Sequence, residues 1–586
     1  MTKHISEWKI LTHAVKNLYR AGNYDHAVSA ANKALEAAEQ NVGPDHPDVA
    51  FSLNKLALLY KNQGKYAQAE PVCERSLKIR EKALGPDHPG VAISLSNLAL
   101  LYRNQGKYAQ AEPLYKRSLA IREKALGPDH PDVVTSLNNL AGLYNDQGKY
   151  AQAEPLYKGS LLIRENVLGP DHPDVAASLN NLAELYRTQG EYAQAEPFYE
   201  RSLTILKKAF GPDHPDVAMS LNNLALLYKT QGKYAQAKLL CERSLAIMEK
   251  VHGPDHPDVA MSLSNFAELF RTQGIYAQAK LLYKRSLEIM EKAFGPDHPD
   301  VATSLNNLAE LYKIQGKYEE AKPLYRRSLM IREKVLGPDH PDVAASLNNF
   351  ALLYKNQGRY IQAEPLYRRS LMIREKVLGP DHPDVAASLN NLADLFRTKS
   401  QYTQAEPLYK RALAIREKAL GPDHPDVATS LSNLALLYDF QGKYIQAEPL
   451  CKRSLAIREK ALGPDHPDVA ISLNNLGELY SAEGKFTQAE PLYKRSLAIR
   501  EKFLGRDHPD VATSLNNLAA LHHTQGHYAQ AEPLYKRSLE INEKALGPNH
   551  PNVASCLRNM ALLYRKTGRD TTAEVLEKRA AAISGN

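Results

Sequence analysis

From Asp87 to Pro128, apolar and polar residues alternate with the spacing of two helices joined by a tight turn. Leu95, Leu98, Ala99 and Tyr102 fall at i, i+3, i+4 and i+7, one face of a first helix, A, that is expected to run to about Gln105. Gly106 can adopt the positive φ that ends a helix. A second helix, B, is expected from about Tyr108 to Leu126, with Ala111, Leu114, Tyr115, Ser118, Leu119 and Ile121 at helical spacing. Asp87 is expected to cap helix A, with His88 and Pro89 in its first turn, where a missing N–H costs nothing. In most copies an Asp follows the Pro, as Asp48 and Asp132 do, near the positive end of the helix dipole; here Gly90 stands instead.

Neither helix can bury its apolar stripe alone, and the unit is copied in tandem. An Asp-His-Pro tripeptide or close variant recurs every 42 residues from Gly43 to Gly547, with no insertion or deletion. The Leu95 position is Leu in thirteen copies, Leu53 to Leu557, and the Ala111 position is Ala in fourteen, Ala27 to Ala573. The Gly106 position is Gly in thirteen of fourteen, Ser400 being the exception. Such a period predicts an all-α solenoid in which neighbouring pairs stack. The first hairpin, residues 5–42, has Gly22 and Tyr24 in register and is expected to be a cap. Residues 45–546 are twelve near-identical repeats, and 547–586 a C-terminal capping repeat, making a single solenoid of about fourteen pairs over 1–586. Asp570 and Glu577 stand at positions that are mostly Tyr elsewhere, and Ala31 replaces a large residue, as polar or trimmed ends require; the array is therefore expected to be complete.

Composition narrows the class. With 43% hydrophobic and 24% charged residues the chain is not of disordered type. No run approaches the ~20 apolar residues of a membrane span, and the N-terminus has no signal-peptide core. Cys73, Cys241, Cys451 and Cys556 lie at least two repeats apart, too far for a disulfide in a linear stack, so a reducing, cytoplasmic setting is expected. The net charge of +8 permits acidic partners without requiring nucleic acid. The thirteen histidines from His46 to His550 recur once per repeat with no second ligand at metal spacing. No phosphate loop, nucleophile elbow or HExxH pair occurs. The expectation is no catalysis, no cofactor and no metal.

Leu95, Leu98-Ala99, Tyr102, Ala111, Tyr115 and Ser118 together resemble the core of a tetratricopeptide repeat. The longer unit, seen between Leu347 and Ala386, resembles the 42-residue repeats of kinesin light chains. The resemblance implies a right-handed superhelix with helix A lining a concave groove, and a protein- or peptide-binding scaffold. A kinesin-type cargo adaptor is the alternative within the family; light chains carry a heptad coiled coil ahead of their repeats, whereas residues 1–42 already read as a hairpin.

On that implied groove face, Ile93, Ser96, Asn97, Leu100, Arg103 and Asn104 oppose the core. The Asn97 position is Asn in twelve of thirteen copies, and the Arg103 position is basic in nine. Amides offer donor and acceptor to an extended backbone, and basic residues offer partners to carboxylates; equally, the amides could brace adjacent A helices. Candidate binding residues are Asn97, Asn139, Asn181, Arg187, Met219, Asn222, Asn223, Lys229, Met261, Asn265, Arg271, Asn307, Lys313, Asn349 and Lys355. Variation concentrates mid-chain, where Lys238, Lys280 and Lys322 replace Glu, and Leu239 and Leu281 replace Pro. Met there suits an adaptable surface, while Glu268 and Glu310 would oppose an acidic ligand. The expected partner is a protein or peptide segment, acidic segments included, with no membrane, and self-association is allowed. A helical-repeat RNA binder, which would vary two groove positions from unit to unit, is the alternative class.

Overall fold

The computed structural model describes residues 2–20 and 24–584, so Gly22 of the first hairpin lies outside the described residues. Among these are twenty-eight helices and no strand. The odd-numbered helices from α3 (Pro47–Asn62) to α27 (Pro551–Lys566) have 16 residues each and follow one another at the sequence period. The even-numbered helices from α4 (Tyr66–Leu84) to α26 (Tyr528–Leu546) have 19 residues each. α1 (Thr2–Arg20) and α2 (Tyr24–Val42) precede them, and α28 (Asp570–Ser584) closes the chain.

One repeat, α5 (Pro89–Asn104) and α6 (Tyr108–Leu126), shows why the unit folds. Val91, Ala92, Leu95 and Ala99 are fully buried, as are Ala111 and Tyr115 on the facing helix. The Ala111 position, Ala in all fourteen copies, is fully buried in this repeat. Ser118, also buried, donates its hydroxyl to Ala92 O at 2.8 Å, so the core serine ties helix B to helix A. Arg122 then reaches the next pair, its Nη1 donating to Asp132 O at 3.0 Å and to Ser136 Oγ at 2.7 Å. Where this arginine is present, the B helix thus holds the start of the following A helix.

The cap differs from expectation. His88, not Asp87, is the N-cap: its backbone is extended (φ −76°, ψ 140°) and its Nδ1 accepts the Gly90 N–H at 3.0 Å. The reason is Pro89, which removes the first N–H, so the cap must reach the second. The same geometry holds at every A helix from His46 to His550. Asp87 instead takes Lys124 at 2.8 Å in an exposed ion pair.

Successive A helices touch one another more closely than successive B helices do, which puts A on the concave side. The winding is tight enough for non-neighbouring repeats to meet. His340 Nδ1 is an acceptor for Asp342 N, so Nε2 carries the ring proton, and it donates to Asn104 O at 2.9 Å, 236 residues earlier and six pairs away. Among the described residues seven such bonds are seen, from His298 on Asn62 O (2.9 Å) to His550 on Ile314 O (3.1 Å). Gly106, at φ +68°, brings its backbone so close that a Cβ there would stand 2.7 Å from Pro341 Cδ. Across the same junction, burial and the carboxylates of Asp300 and Asp342 push the Tyr66 phenol up to about 12. The superhelix therefore has about six pairs per turn, and each turn rests on the next.

Candidate functional site

The inner face of the A helices carries three kinds of side chain. Amides come first. Asn223 and Asn265 are exposed, whereas Asn97, Asn139, Asn181, Asn307 and Asn349 are half-buried. Part of the ladder is bracing: Asn349 Nδ2 donates to Asn306 Oδ1 at 3.1 Å, and the same bond joins Asn391 to Asn348, Asn517 to Asn474 and Asn559 to Asn516. Asn222 likewise donates to Ser262 Oγ at 3.2 Å. Bracing thus accounts for part of the ladder, and the mid-chain Asn223 and Asn265 are left to solvent.

The cations come second, and each of the five candidate cations is paired with a carboxylate. Arg187 makes a two-pronged bond to Glu184 (2.8 and 2.5 Å), and Arg271 to Glu268 (2.7 and 2.6 Å). Lys229 approaches Glu268 at 3.3 Å from the preceding repeat. Lys355 holds Asp394 of the following repeat in the same way. Lys313 bonds Glu310 at 2.7 Å and is only 6% exposed. Burial opposes charge on Glu268, yet Arg271, Lys229 and the Tyr283 hydroxyl hold its carboxyl down to about 2. Burial outweighs Glu310 at Lys313 and lowers that ammonium. Charge reversal at Lys229, Arg271 and Lys313 would consequently injure the fold as well as any ligand contact.

The ladder is interrupted at Asn145 and again at Asp439, Ser481 and His523. At Asp439 an acid occupies the Lys229 position, and at Ser481 a hydroxyl occupies the Arg271 position, so Glu478 lacks both cations. Asn474 and Asn517 donate to it instead (3.0 and 2.7 Å), and burial together with Asp439 raises it.

Third is a cavity of ≈ 390 Å³. Met219, Asn223, Met261, Asn265, Met290 and Asn307 line it, with Asp300 and Thr303 at its edge. Met219 and Met261 are 53% and 50% exposed. Met290 is not among the residues singled out from sequence, yet it explains the space. It stands where most repeats have the buried arginine that bonds the next A helix, as Arg332 bonds Asp342 O and Ser346 Oγ. Leu206, Met248 and Met290 replace that arginine in three consecutive pairs. The signal is present in the sequence as a loss, not as a motif. The other mid-chain substitutions lie elsewhere: Leu239 and Leu281 are 66% and 70% exposed on B helices, and Lys238 and Lys280 lie over the rings of Phe270 and Tyr312.

The four cysteines are free and buried, and burial pushes the thiols of Cys73, Cys241 and Cys451 up to about 12, away from reactivity. Among the described residues, no group of three or more His, Cys, Asp or Glu converges on a metal-sized site, and no helix is long and apolar enough to cross a membrane.

The profile of a family described as tetratricopeptide repeat matches the chain in overlapping segments, from 10–69 and 52–124 through 478–544 and 510–585. Two crystal structures of a kinesin-light-chain candidate from Podosopora anserina with nearly identical TPR-like repeats, one of them a point variant, are similar to it. Each is 31% identical, covering 35% of this chain and 97% of that one, with TM-scores of 0.31 and 0.30. BtubC (BKLC) from P. vanneervenii is 26% identical, covering 40% of this chain and 92% of that one, with a TM-score of 0.32. No curated protein matches.

Proposed function

Because this chain belongs to the tetratricopeptide repeat family, we propose that it is a non-catalytic interaction scaffold holding an extended segment of a partner protein along its inner face. The observation that carries this reading is the cavity between Met219, Met261 and Met290, with Asn223 and Asn265 exposed beside it. Thioether side chains accommodate apolar groups of varied shape, and the amides can bond the backbone that carries such a group. An apolar side chain in the cavity, flanked by peptide bonds on the two asparagines, is the fit.

Acidic residues of the segment engage by exchange. Lys229, held to Glu268 only by a single contact at 3.3 Å, is more loosely paired than Arg187 or Arg271 and is the cation that a second carboxylate can engage; Lys313 is sealed. Acidity is then a modifier of affinity, and the apolar anchor is its main source. Near-identical units also allow a ligand with repeated anchors to bind in several registers.

The test is a random peptide library displayed on phage and selected on the wild-type chain. Selected peptides should lose affinity by about tenfold or more on Met219→Lys/Met261→Lys, the loss of roughly two apolar contacts. They should bind Ile361→Lys unchanged, since that side chain is 88% exposed on a B helix. Equal binding to both variants sinks the groove assignment.

A further inference from the structure

Among the described residues the interface between successive turns is formed by seven histidine bonds, and its two halves lie open on the first and last described turns. The seven histidines that meet an earlier turn are mostly buried: His298, His340 and His382 are 6%, 8% and 9% exposed. In the first turn, by contrast, the side chains of His46, His172 and His214 are 45%, 40% and 38% exposed, and His88 is exposed too. Among the described residues none of these four makes the Nε2 bond seen at His340.

The opposite half of the interface is open in the last turn. The turns at Gly442, Gly484 and Gly526 have nothing within 4 Å of a Cβ position, whereas Gly106, Gly148 and Gly190 each have a proline within 2.8 Å. Phe440, Ala482 and Thr524, which end the A helices at those turns, have the carbonyl position that accepts from a histidine elsewhere. One chain thus carries both halves of a contact that it already makes with itself.

We propose that this chain associates head to tail with a second copy, the first-turn histidines of one molecule seating on the last-turn A–B turns of another and continuing the superhelix. The register is arithmetic. If the copy's first pair follows as the fifteenth, the internal offset of 236 residues places His88 on Phe440 O, His130 on Ala482 O and His172 on Thr524 O. His46 and His214 fall on Thr398 O and Lys566 O by the same count. Four of the five turns present glycine to the incoming proline. The fifth has Ser400, whose side chain must shift for Pro47 to approach. Charge is permissive: the side chains of Asp48, Asp174 and Asp216 are exposed on the histidine face, and on the other Lys443 lies over Tyr438 while Lys485 and Arg569 are already paired with Glu483 and Glu532. The two patches differ, so the contact is heterologous and does not close on a dimer.

Two triple variants test it by sedimentation velocity from about 1 to about 100 µM at neutral pH. His88→Asn/His130→Asn/His172→Asn keeps an N-cap acceptor and removes the Nε2 donor. Gly442→Asn/Gly484→Asn/Gly526→Asn adds a Cβ where the incoming proline must lie, at a φ that Asn tolerates. The wild type should grow past dimer as concentration rises, and each variant alone should remain monomeric with unchanged helicity by circular dichroism. An equimolar mixture of the two variants should form dimers and stop there, since only one intact pair of faces remains. A monomeric wild type throughout the range, variants that associate as the wild type does, or a mixture without dimer overturns the proposal.

Discussion

Substituting Gly106, Gly148 and Gly190 by Asn should pry the turns of the superhelix apart, while the same change at Gly442, Gly484 and Gly526 should not. All six glycines lie at φ between +66° and +78°, so the local cost of a side chain in the left-handed region is shared and cancels in the comparison. What differs is the next turn. At the first three sites the new Cβ would stand 2.7 to 2.8 Å from Pro341, Pro383 and Pro425; at the last three nothing lies within 4 Å. Relieving that overlap requires the turns to separate by several tenths of an ångström. Each separation strains the bond from His340 to Asn104 O, from His382 to Asp146 O or from His424 to Thr188 O. One such bond is worth about 1 kcal/mol net, and overpacking costs about 1–3 kcal/mol per site. The first triple variant therefore carries about 3–9 kcal/mol of overpacking strain, against about 3 kcal/mol net from the three histidine bonds that hold those junctions. Small-angle scattering at low concentration, where copies do not meet, should show a larger maximum dimension for the first variant alone. Hydrogen exchange should quicken at the turns around Tyr108 and Tyr150. Identical scattering profiles for the two variants would refute the stacked-turn geometry.

Acidification should loosen the same junctions. Burial lowers the imidazoles of His340 and His382 below 6.5, against the pull of Asp342, Asp384 and the facing Asp146, and with the help of Arg332 and Arg374. The separated turn then binds more protons than the closed one, so closure is favoured above that pH and weakens as pH falls through it; the maximum dimension should rise reversibly between about pH 7.5 and about pH 5.5. Lys313→Met should cost about 3–5 kcal/mol by leaving Glu310 with only the Tyr325 hydroxyl. Adding Glu310→Leu, the residue found at Leu226 and Leu352, should restore most of it in urea unfolding; a double variant as weak as the single one would contradict the pairing. Asp439→Lys should raise the unfolding free energy by about 1 kcal/mol or more, because it gives Glu478 the ammonium that Lys229 gives Glu268; a lowered value counts against that reading.

Most of the fold is legible in the sequence because each element is specified within one repeat. Leu95, Ala99 and Tyr102 report the buried face of helix A, and Gly106 its end, with errors of a residue or so. Composition favours Asp87 as the cap, whereas the geometry imposed by Pro89 favours the residue next to the proline. The groove is legible as a face and not as a chemistry. Arg103 and Lys229 look like free cations in one repeat, and their partners Asp146 and Glu268 stand 43 and 39 residues on. The short-range pairs, Glu268 with Arg271 and Glu310 with Lys313, could have been found from their i, i+3 spacing. The junction between turns had no such route. It depends on the pitch of the superhelix, a small rotation per repeat added up over six of them, and no residue pattern within one unit encodes that sum.

The junction in turn accounts for a property that nearest-neighbour stacking leaves unexplained, the unbroken sequence period. In a solenoid whose repeats touch only their neighbours, both loops of each hairpin face solvent, and extra residues there cost little. Here neither loop is free through the stacked turns. The A–B turn at Gly106 lies under Pro341 and Val377, and the B–A loop brings His340 and Pro341 onto it. An inserted residue at either place would sit inside the contact. Ser400 supports the argument from the other side: the one departure from glycine among the A–B turns, at φ +57°, falls in the last turn, where no proline follows within the chain. Constancy of length and identity of sequence are thus separate constraints. The core of the hairpin requires Leu95, Ala111 and Ser118, whereas the spacing between hairpins is required by a neighbour six pairs away.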